Sequence, residues 1–239
     1  MIPKIIHYCW LGRGDMPELA KRCIASWHLY MPDWEYRLWN EDNFDVNQNA
    51  YAKEAYEARK YAFVSDYVRL WALEREGGIY LDTDVEVFKP FDDLLGYKAF
   101  AGFEGSKHLP IGTCVMASEP HGIWVTEQLE AYRGRHFVTP EGTLDLTTNV
   151  QFICSNMRAQ GFVQDGKEQD YKDLHVFPVE YFSPRNTMGE YIRTENTYCD
   201  HLGLGSWMGE NVGWKVKIRK LIGQSNMTRL IKLKRKLLG

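Results

Sequence analysis

Gly77-Gly78-Ile79-Tyr80-Leu81-Asp82-Thr83-Asp84 decides how the rest of this 239-residue chain is read. A double glycine ends a long amphipathic segment, three apolar residues follow as a short buried strand, and two aspartates one residue apart leave it. Side chains alternate along a strand, so residues two apart project to the same side. Both carboxylates therefore emerge together where the strand exits the core, a place where a hard divalent cation can join them to a ligand's phosphates. An Asp-x-Asp in isolation is usually a solvated turn. The apolar strand before it and the glycine break behind it favour the metal reading here.

Upstream, Ala50 to Glu76 reads as mostly helix with a break near Tyr61-Ala62, because Phe63, Asp66, Tyr67, Leu70 and Leu73 recur three and four apart. Asp66 and Arg69 share one face of it, either as a structural ion pair or as two polar groups converging on a ligand. Ile5 to Trp10 reads as a first buried strand. A helix then runs from about Leu19 until Pro32 stops it, and a half-buried second strand carries Trp34, Tyr36 and Leu38. Trp10 ends the first strand, as a core residue or as a platform on which a base stacks.

Downstream, Val85 to Phe88 reads as a further strand stopped by Lys89-Pro90. Short strands follow at 99–103 and 113–117, with helices at 121–132 and 149–160. Thr147-Thr148-Asn149 suits a helix N-cap or the wall of a pocket. Strands alternating with helices imply an α/β fold, a mainly parallel sheet flanked by helices, with ligands at the strands' C-terminal ends.

Composition bounds the rest. Hydrophobic residues at 44% are ample for a core and exclude general disorder. Five widely spaced cysteines without a Cys-x-x-Cys pair argue for reduced thiols rather than a disulfide framework or a zinc site. No leader pattern and no apolar run of membrane-spanning length occurs, so a cytoplasmic protein is expected. The net charge of −3 hides a C-terminal segment, 214–239, with nine Lys/Arg and no acidic residue. Residues 1–213 read as one domain and 214–239 as a basic amphipathic helical tail suited to an anionic membrane surface. The acidic main body disfavours nucleic acid as a partner.

A late polar cluster, Asn196 to His201 followed by Leu202-Gly203-Leu204-Gly205-Ser206-Trp207, offers His201 to a metal and Ser206 and Trp207 to a phosphate. Four motifs in order carry a resemblance: Ile-Pro-Lys-Ile-Ile-His-Tyr-Cys-Trp-Leu-Gly, Phe-Val-Ser-Asp-Tyr-Val-Arg-Leu, Gly-Gly-Ile-Tyr-Leu-Asp-Thr-Asp, and the late His with Gly-Ser-Trp. Together they resemble the DXD-containing glycosyltransferases of family 32, bacterial capsular and exopolysaccharide sugar transferases among them. They are also similar to the catalytic core of the large clostridial glucosylating toxins. The likeness covers about residues 2–105 closely and 176–207 loosely.

That resemblance implies a GT-A fold, a Rossmann-like nucleotide-binding sheet. It also implies retaining transfer of a sugar from a nucleotide diphosphate, UDP before GDP, to a glycan or lipid-linked acceptor in cell-surface polysaccharide synthesis. By the same resemblance Trp10 stacks on the base, Asp66 and Arg69 hold ribose and sugar hydroxyls, and Tyr80 lines the donor pocket. Asp82 and Asp84 engage Mn²⁺ (or Mg²⁺) and the diphosphate, and Ser206-Trp207 closes over the β-phosphate. Asp66, Arg69 and Asp84 are the catalytic candidates. His201 matches the first of a histidine pair whose second position is Leu202 here; His201 is the better candidate for the third metal ligand and Asp200 beside it a substitute. Glu104 is the carboxylate placed near the sugar, and attack by the acceptor on the leaving-group face is preferred to a covalent intermediate. A mannosyltransferase using GDP-mannose, and a protein that binds or hydrolyses nucleotide sugars without transfer, remain the alternatives.

Overall fold

The computed structural model describes residues 1–105, 109–185 and 190–203. The glycine break acts as a helix stop: α3 (Tyr61–Glu76) ends at Gly77, whose φ of 64° is left-handed, and the chain enters the fully buried β3 (Gly78–Leu81). Gly78 has a second reason to be glycine, since a Cβ there would meet the Ile5 carbonyl at 2.6 Å. β3 lies parallel to β1 (Ile5–Cys9), which pairs on its other side with β2 (Glu35–Trp39), also parallel. The helix α1 (Glu18–Tyr30) joins β1 to β2, and α2 (Ala50–Glu57) and α3 join β2 to β3. The break between those two helices falls just ahead of Tyr61, where Arg59 takes a φ of 56°.

Because β2 and β3 flank β1 on opposite sides, the chain leaves β1 and β3 around a crevice, the place where open α/β sheets bind ligands. β3 also separates two cores. Tyr80 packs with α2 and α3 on one face (Tyr51, Val64, Val68), while Ile79 and Leu81 join Trp27, Phe100 and Phe182 on the other.

The expectation of a mainly parallel sheet needs correction. In the order β2-β1-β3-β6-β5-β8-β7, β6 (Ile111–Ser118) runs antiparallel to both β3 and β5 (Ala99–Phe103). β8 (Leu174–Phe177) is parallel to β5, and β7 (Gln169–Tyr171) is antiparallel to β8, so the sheet is mixed. A parallel connection needs a crossover of about a dozen residues or more. Residues 104–110 and 172–173 are too short for that and close hairpins instead.

β4 (Val85–Val87), the further strand expected after the Asp pair, stands outside this sheet and pairs with β9 (Cys199–His201) in a separate two-stranded one. Helices α4 (Ile123–Glu130) and α5 (Asn149–Ala159) are slightly shorter than expected, α5 with Thr148 as N-cap in a full capping box with Gln151. The five cysteines are buried and unpaired. Met1–Leu202 form one compact unit. No helix among the described residues is long and apolar enough to cross a membrane. Ser206, Trp207 and the basic tail, 214–239, lie outside the described residues.

Candidate functional site

Asp82 leaves β3 with its N–H still bonded to the Cys114 carbonyl (2.9 Å), and Val85 N–H returns to the Asp82 carbonyl (3.0 Å) to close the turn around Thr83-Asp84. Asp82 Oδ1 accepts from the Tyr80 hydroxyl at 3.2 Å and lies 3.2 Å from Arg69 Nη1. Arg69 Nη2 donates to Asp66 Oδ1 (2.8 Å), Nη1 donates to the Thr113 carbonyl (2.6 Å), and the Tyr80 ring lies 4.5 Å from the guanidinium. With its side chain 5% exposed, Arg69 is a buried cation shared by two carboxylates, one from its own helix and one from the following strand. Burial pushes the Asp66 carboxyl up to about 6 although Arg69 pulls it down. The same burial raises Asp82, again opposed by Arg69.

A second arm arrives from the far end of the chain. β9 lies antiparallel to β4 with Val85 opposite His201, and Leu202 N–H bonds the Asp84 carbonyl at 3.0 Å. His201 Nε2 thereby comes 3.4 Å from Asp84 Oδ1, while Nδ1 sits 2.6 Å from Glu104 Oε1, just beyond β5. Asp200, one residue earlier, faces the other way and pairs with Arg185 at 3.0 Å. Strand alternation therefore brings His201, and not Asp200, to the aspartates. Burial opposes charge on His201, but Cys114, Glu104 and Asp84 outweigh it and hold its pKa well above the ordinary histidine value. Burial likewise raises Glu104, and His201 more than offsets it, leaving that carboxyl below its usual range.

One ligand atom each from Asp82, Asp84 and His201 lie within 4.8 Å of one another. Two carboxylates and an imidazole form an oxygen-rich donor set that fits Mn²⁺ or Mg²⁺. With Nδ1 turned to Glu104, Nε2 is the nitrogen left to face the aspartates.

Trp10 is half-buried just beyond β1, at the same edge of the sheet as Asp82, its indole N–H donating to the Gly14 carbonyl at 2.6 Å. Tyr80 is buried and meets the site through Arg69 and Asp82 rather than as an exposed wall. Asn149, read from sequence only as part of a cap or pocket segment, enters the site through Asp66, whose carboxylate its backbone N–H stabilises. It is 2% exposed. Its Oδ1 accepts from the Tyr132 hydroxyl at 3.1 Å, and its Nδ2 has no hydrogen-bond partner. A buried amide donor left open, on a residue whose backbone N–H already serves a site carboxylate, is the kind of group a bound ligand can satisfy. Only the Thr-Thr-Asn capping pattern could have flagged it in the sequence.

Residues 17–101 match the family described as a glycosyltransferase sugar-binding region containing a DXD motif. The matched segment holds Asp66, Arg69, Asp82 and Asp84 and stops short of Glu104 and His201. The chain is similar to glucan organizing enzyme 1 of Cryptococcus neoformans var. grubii, 38% identical over 82 residues, covering 31% of this chain and 22% of that protein. It is also similar to inositol phosphoceramide mannosyltransferase 2 of Schizosaccharomyces pombe, 31% identical over 172 residues, covering 67% of this chain and 48% of that protein. The chain thus spans less than half of the length of either relative. Among solved structures, the PaToxG glycosyltransferase aligns with a TM-score of 0.48 and 20% identity, over 67% of this chain and 72% of that one. In sequence the protein is related to DXD-motif sugar transferases.

Proposed function

We propose that this protein is a retaining GT-A glycosyltransferase of the family-32 kind. In this reading it moves a sugar from a nucleotide diphosphate to a glycan or lipid-linked acceptor. The observation that carries the reading is the meeting of Asp82, Asp84 and His201 with the buried Asp66–Arg69 pair beside the β1/β3 crevice. Asp82, Asp84 and His201 would hold Mn²⁺ or Mg²⁺, which when bound neutralises the charge gathering on the departing diphosphate. Asp66 and Arg69 bind the hydroxyls of ribose and sugar, and the open Nδ2 of Asn149 supplies a further donor there. Trp10 stacks on the base. Ser206 and Trp207 close over the β-phosphate.

Glu104 Oε1 is engaged with His201, so this carboxylate orients a ligand rather than attacking the sugar. That favours entry of the acceptor on the leaving-group face, with the leaving phosphate taking the acceptor's proton.

The resemblance to bacterial and toxin sugar transferases favours UDP as the donor nucleotide. A second reading, GDP-mannose, is favoured by the S. pombe relative, a mannosyltransferase by name. That relative's name also includes a ceramide lipid, which suits a lipid-linked acceptor at the inner face of a membrane reached through the basic tail. The test is nucleotide release from a panel of UDP- and GDP-sugars with Mn²⁺, with and without acceptor, beside EDTA and Asp84→Asn controls. Turnover of one donor, raised by acceptor and lost in both controls, supports transfer. Hydrolysis indifferent to every acceptor overturns it. Liposome binding that is unchanged after deletion of 214–239 removes the membrane role.

A further inference from the structure

The Asp pair is one of two ligand sets that meet at His201. One ligand atom each from Glu104, Cys114 and His201 also lie within 4.8 Å of one another. Strand β6 carries Cys114 and, two residues before it, Gly112, so the two face the same side. The missing side chain of Gly112 leaves room for Glu104, since a Cβ there would meet Oε2 at 2.8 Å. Cys114 is 3% exposed, whereas the Glu104 and His201 side chains, at 23% and 19%, leave an approach from solvent.

The two sets differ in chemistry. Asp82, Asp84 and His201 offer two oxygens and a nitrogen; Glu104, Cys114 and His201 offer oxygen, sulfur and nitrogen. Thiolate-containing sets select zinc-class ions over Mn²⁺ and Mg²⁺, and tetrahedral zinc sites commonly take three protein ligands and a water.

We propose that Glu104, Cys114 and His201 form a second cation site, selective for a thiophilic divalent ion such as Zn²⁺, and that filling it disarms the Asp82/Asp84 site. The two sets use opposite nitrogens of one ring, since Nδ1 faces Glu104 and Nε2 faces Asp84. A cation bound to Nδ1 replaces the proton held between Nδ1 and Glu104. That proton and the thiol proton of Cys114 pass to solvent, and no electrons are transferred. The neutral imidazole then carries its one remaining proton on Nε2. Nε2–H donates to Asp84 and has no lone pair for a cation on the aspartates. The inhibitory half of this inference rests on His201 as third ligand of the Asp pair; the second site does not.

The test uses the full chain. Co²⁺ serves as the absorbing probe, Zn²⁺ binding is followed by calorimetry and Mn²⁺ binding by water-proton relaxation, in wild type, Cys114→Ala and Asp84→Asn. A thiolate-to-cobalt absorption band is expected in wild type and Asp84→Asn and not in Cys114→Ala. Zn²⁺ affinity falls more than about 100-fold in Cys114→Ala, since losing even a group behind a ligand costs 10–100-fold. Mn²⁺ binding survives in Cys114→Ala, which also shows that the variant is folded, and the Zn²⁺ concentration needed to weaken Mn²⁺ binding is much lower in wild type than in Cys114→Ala, where Zn²⁺ competes only at the aspartates. If Cys114→Ala does not fold, Cys114→Ser is read the same way. Absence of the band in wild type overturns the second site, as does equal Zn²⁺ affinity with and without Cys114. A cobalt band in a wild-type protein that binds no Mn²⁺ upholds the second site and overturns the catalytic cation instead.

Discussion

The arm carrying Asp66, Arg69, Asp82 and Asp84 is one helix–turn–strand unit, α3 to β3 and the turn after it, tied by a buried guanidinium between two carboxylates. The arm carrying Glu104 and His201 is joined across 97 positions of sequence, and β4 and β9, three residues each, hold it in place. The first arm is set by short connections within the main sheet. The second depends on a two-stranded ribbon, which has little stability of its own and borrows it from packing. Trp27 Nε1–H donating to the Val85 carbonyl at 2.7 Å, and Val87 N–H donating to Ser26 Oγ at 2.9 Å, are where that borrowing occurs.

If this contrast is right, substitutions in the first arm cost activity or the fold outright, and substitutions in the second are graded. The largest effect is expected from Asp84→Asn. Turnover falls about 1,000-fold, the upper end for removing one electrostatic group, and Mn²⁺ binding by calorimetry is lost while the melting temperature holds. Arg69→Met breaks the first arm from within. It leaves two carboxylates without their shared cation, and denaturant unfolding should show a loss of about 3–5 kcal/mol.

His7 tests the footing of the same arm, because it clamps β1 to β2 and to the α3–β3 turn. Trp39 Nε1–H donates to its Nδ1 at 3.1 Å, so Nε2 carries the proton and donates to the Gly77 carbonyl at 2.7 Å. Burial, with help from the charge of Arg37, lowers this histidine from 6.5 to about 4. The unfolded chain takes up a proton as pH falls below 6.5 and the folded protein does not until about 4. Its contribution is therefore complete above pH 6.5, and about 3 kcal/mol is lost between there and pH 4. A unfolding free energy in His7→Gln with the same pH slope as wild type would remove His7 as the cause.

The smallest effect sharpens the second arm. His201→Ala should weaken Mn²⁺ at least about 100-fold, more than loss of a group behind a ligand, and cost less stability than Arg69→Met, because the ring is partly exposed while Arg69 is buried. A fall in stability as large as that of Arg69→Met would erase the distinction between the arms.

Much of the first arm was legible in the chain. Glycine at positive φ, a strand of three apolar residues and an i, i+3 pair are local patterns, and local patterns survive folding because they involve few residues and short distances. The mainly parallel sheet was misread because helix–strand alternation holds only through β3; after it, short loops force hairpins. β7, β8 and β9 span three or four residues each, too short to show a period of two. Thr147-Thr148-Asn149 reads as a helix N-cap or pocket wall; the structure makes Thr148 the cap, while Asn149 reaches Asp66 through its backbone N–H and has its side-chain amide unpaired, which the pattern could not show.

By itself the sequence determined that an apolar strand ends in two carboxylates facing one way, behind a helix with an Asp and an Arg on one face. Tertiary structure decided which distant groups complete them. Asp200 and His201 are adjacent in sequence and alike in polarity. Only the pairing of β9 with β4 turns Asp200 to Arg185 and His201 to Asp84 and Glu104, because a strand's register sets the face of every residue in it and register is chosen by the partner strand.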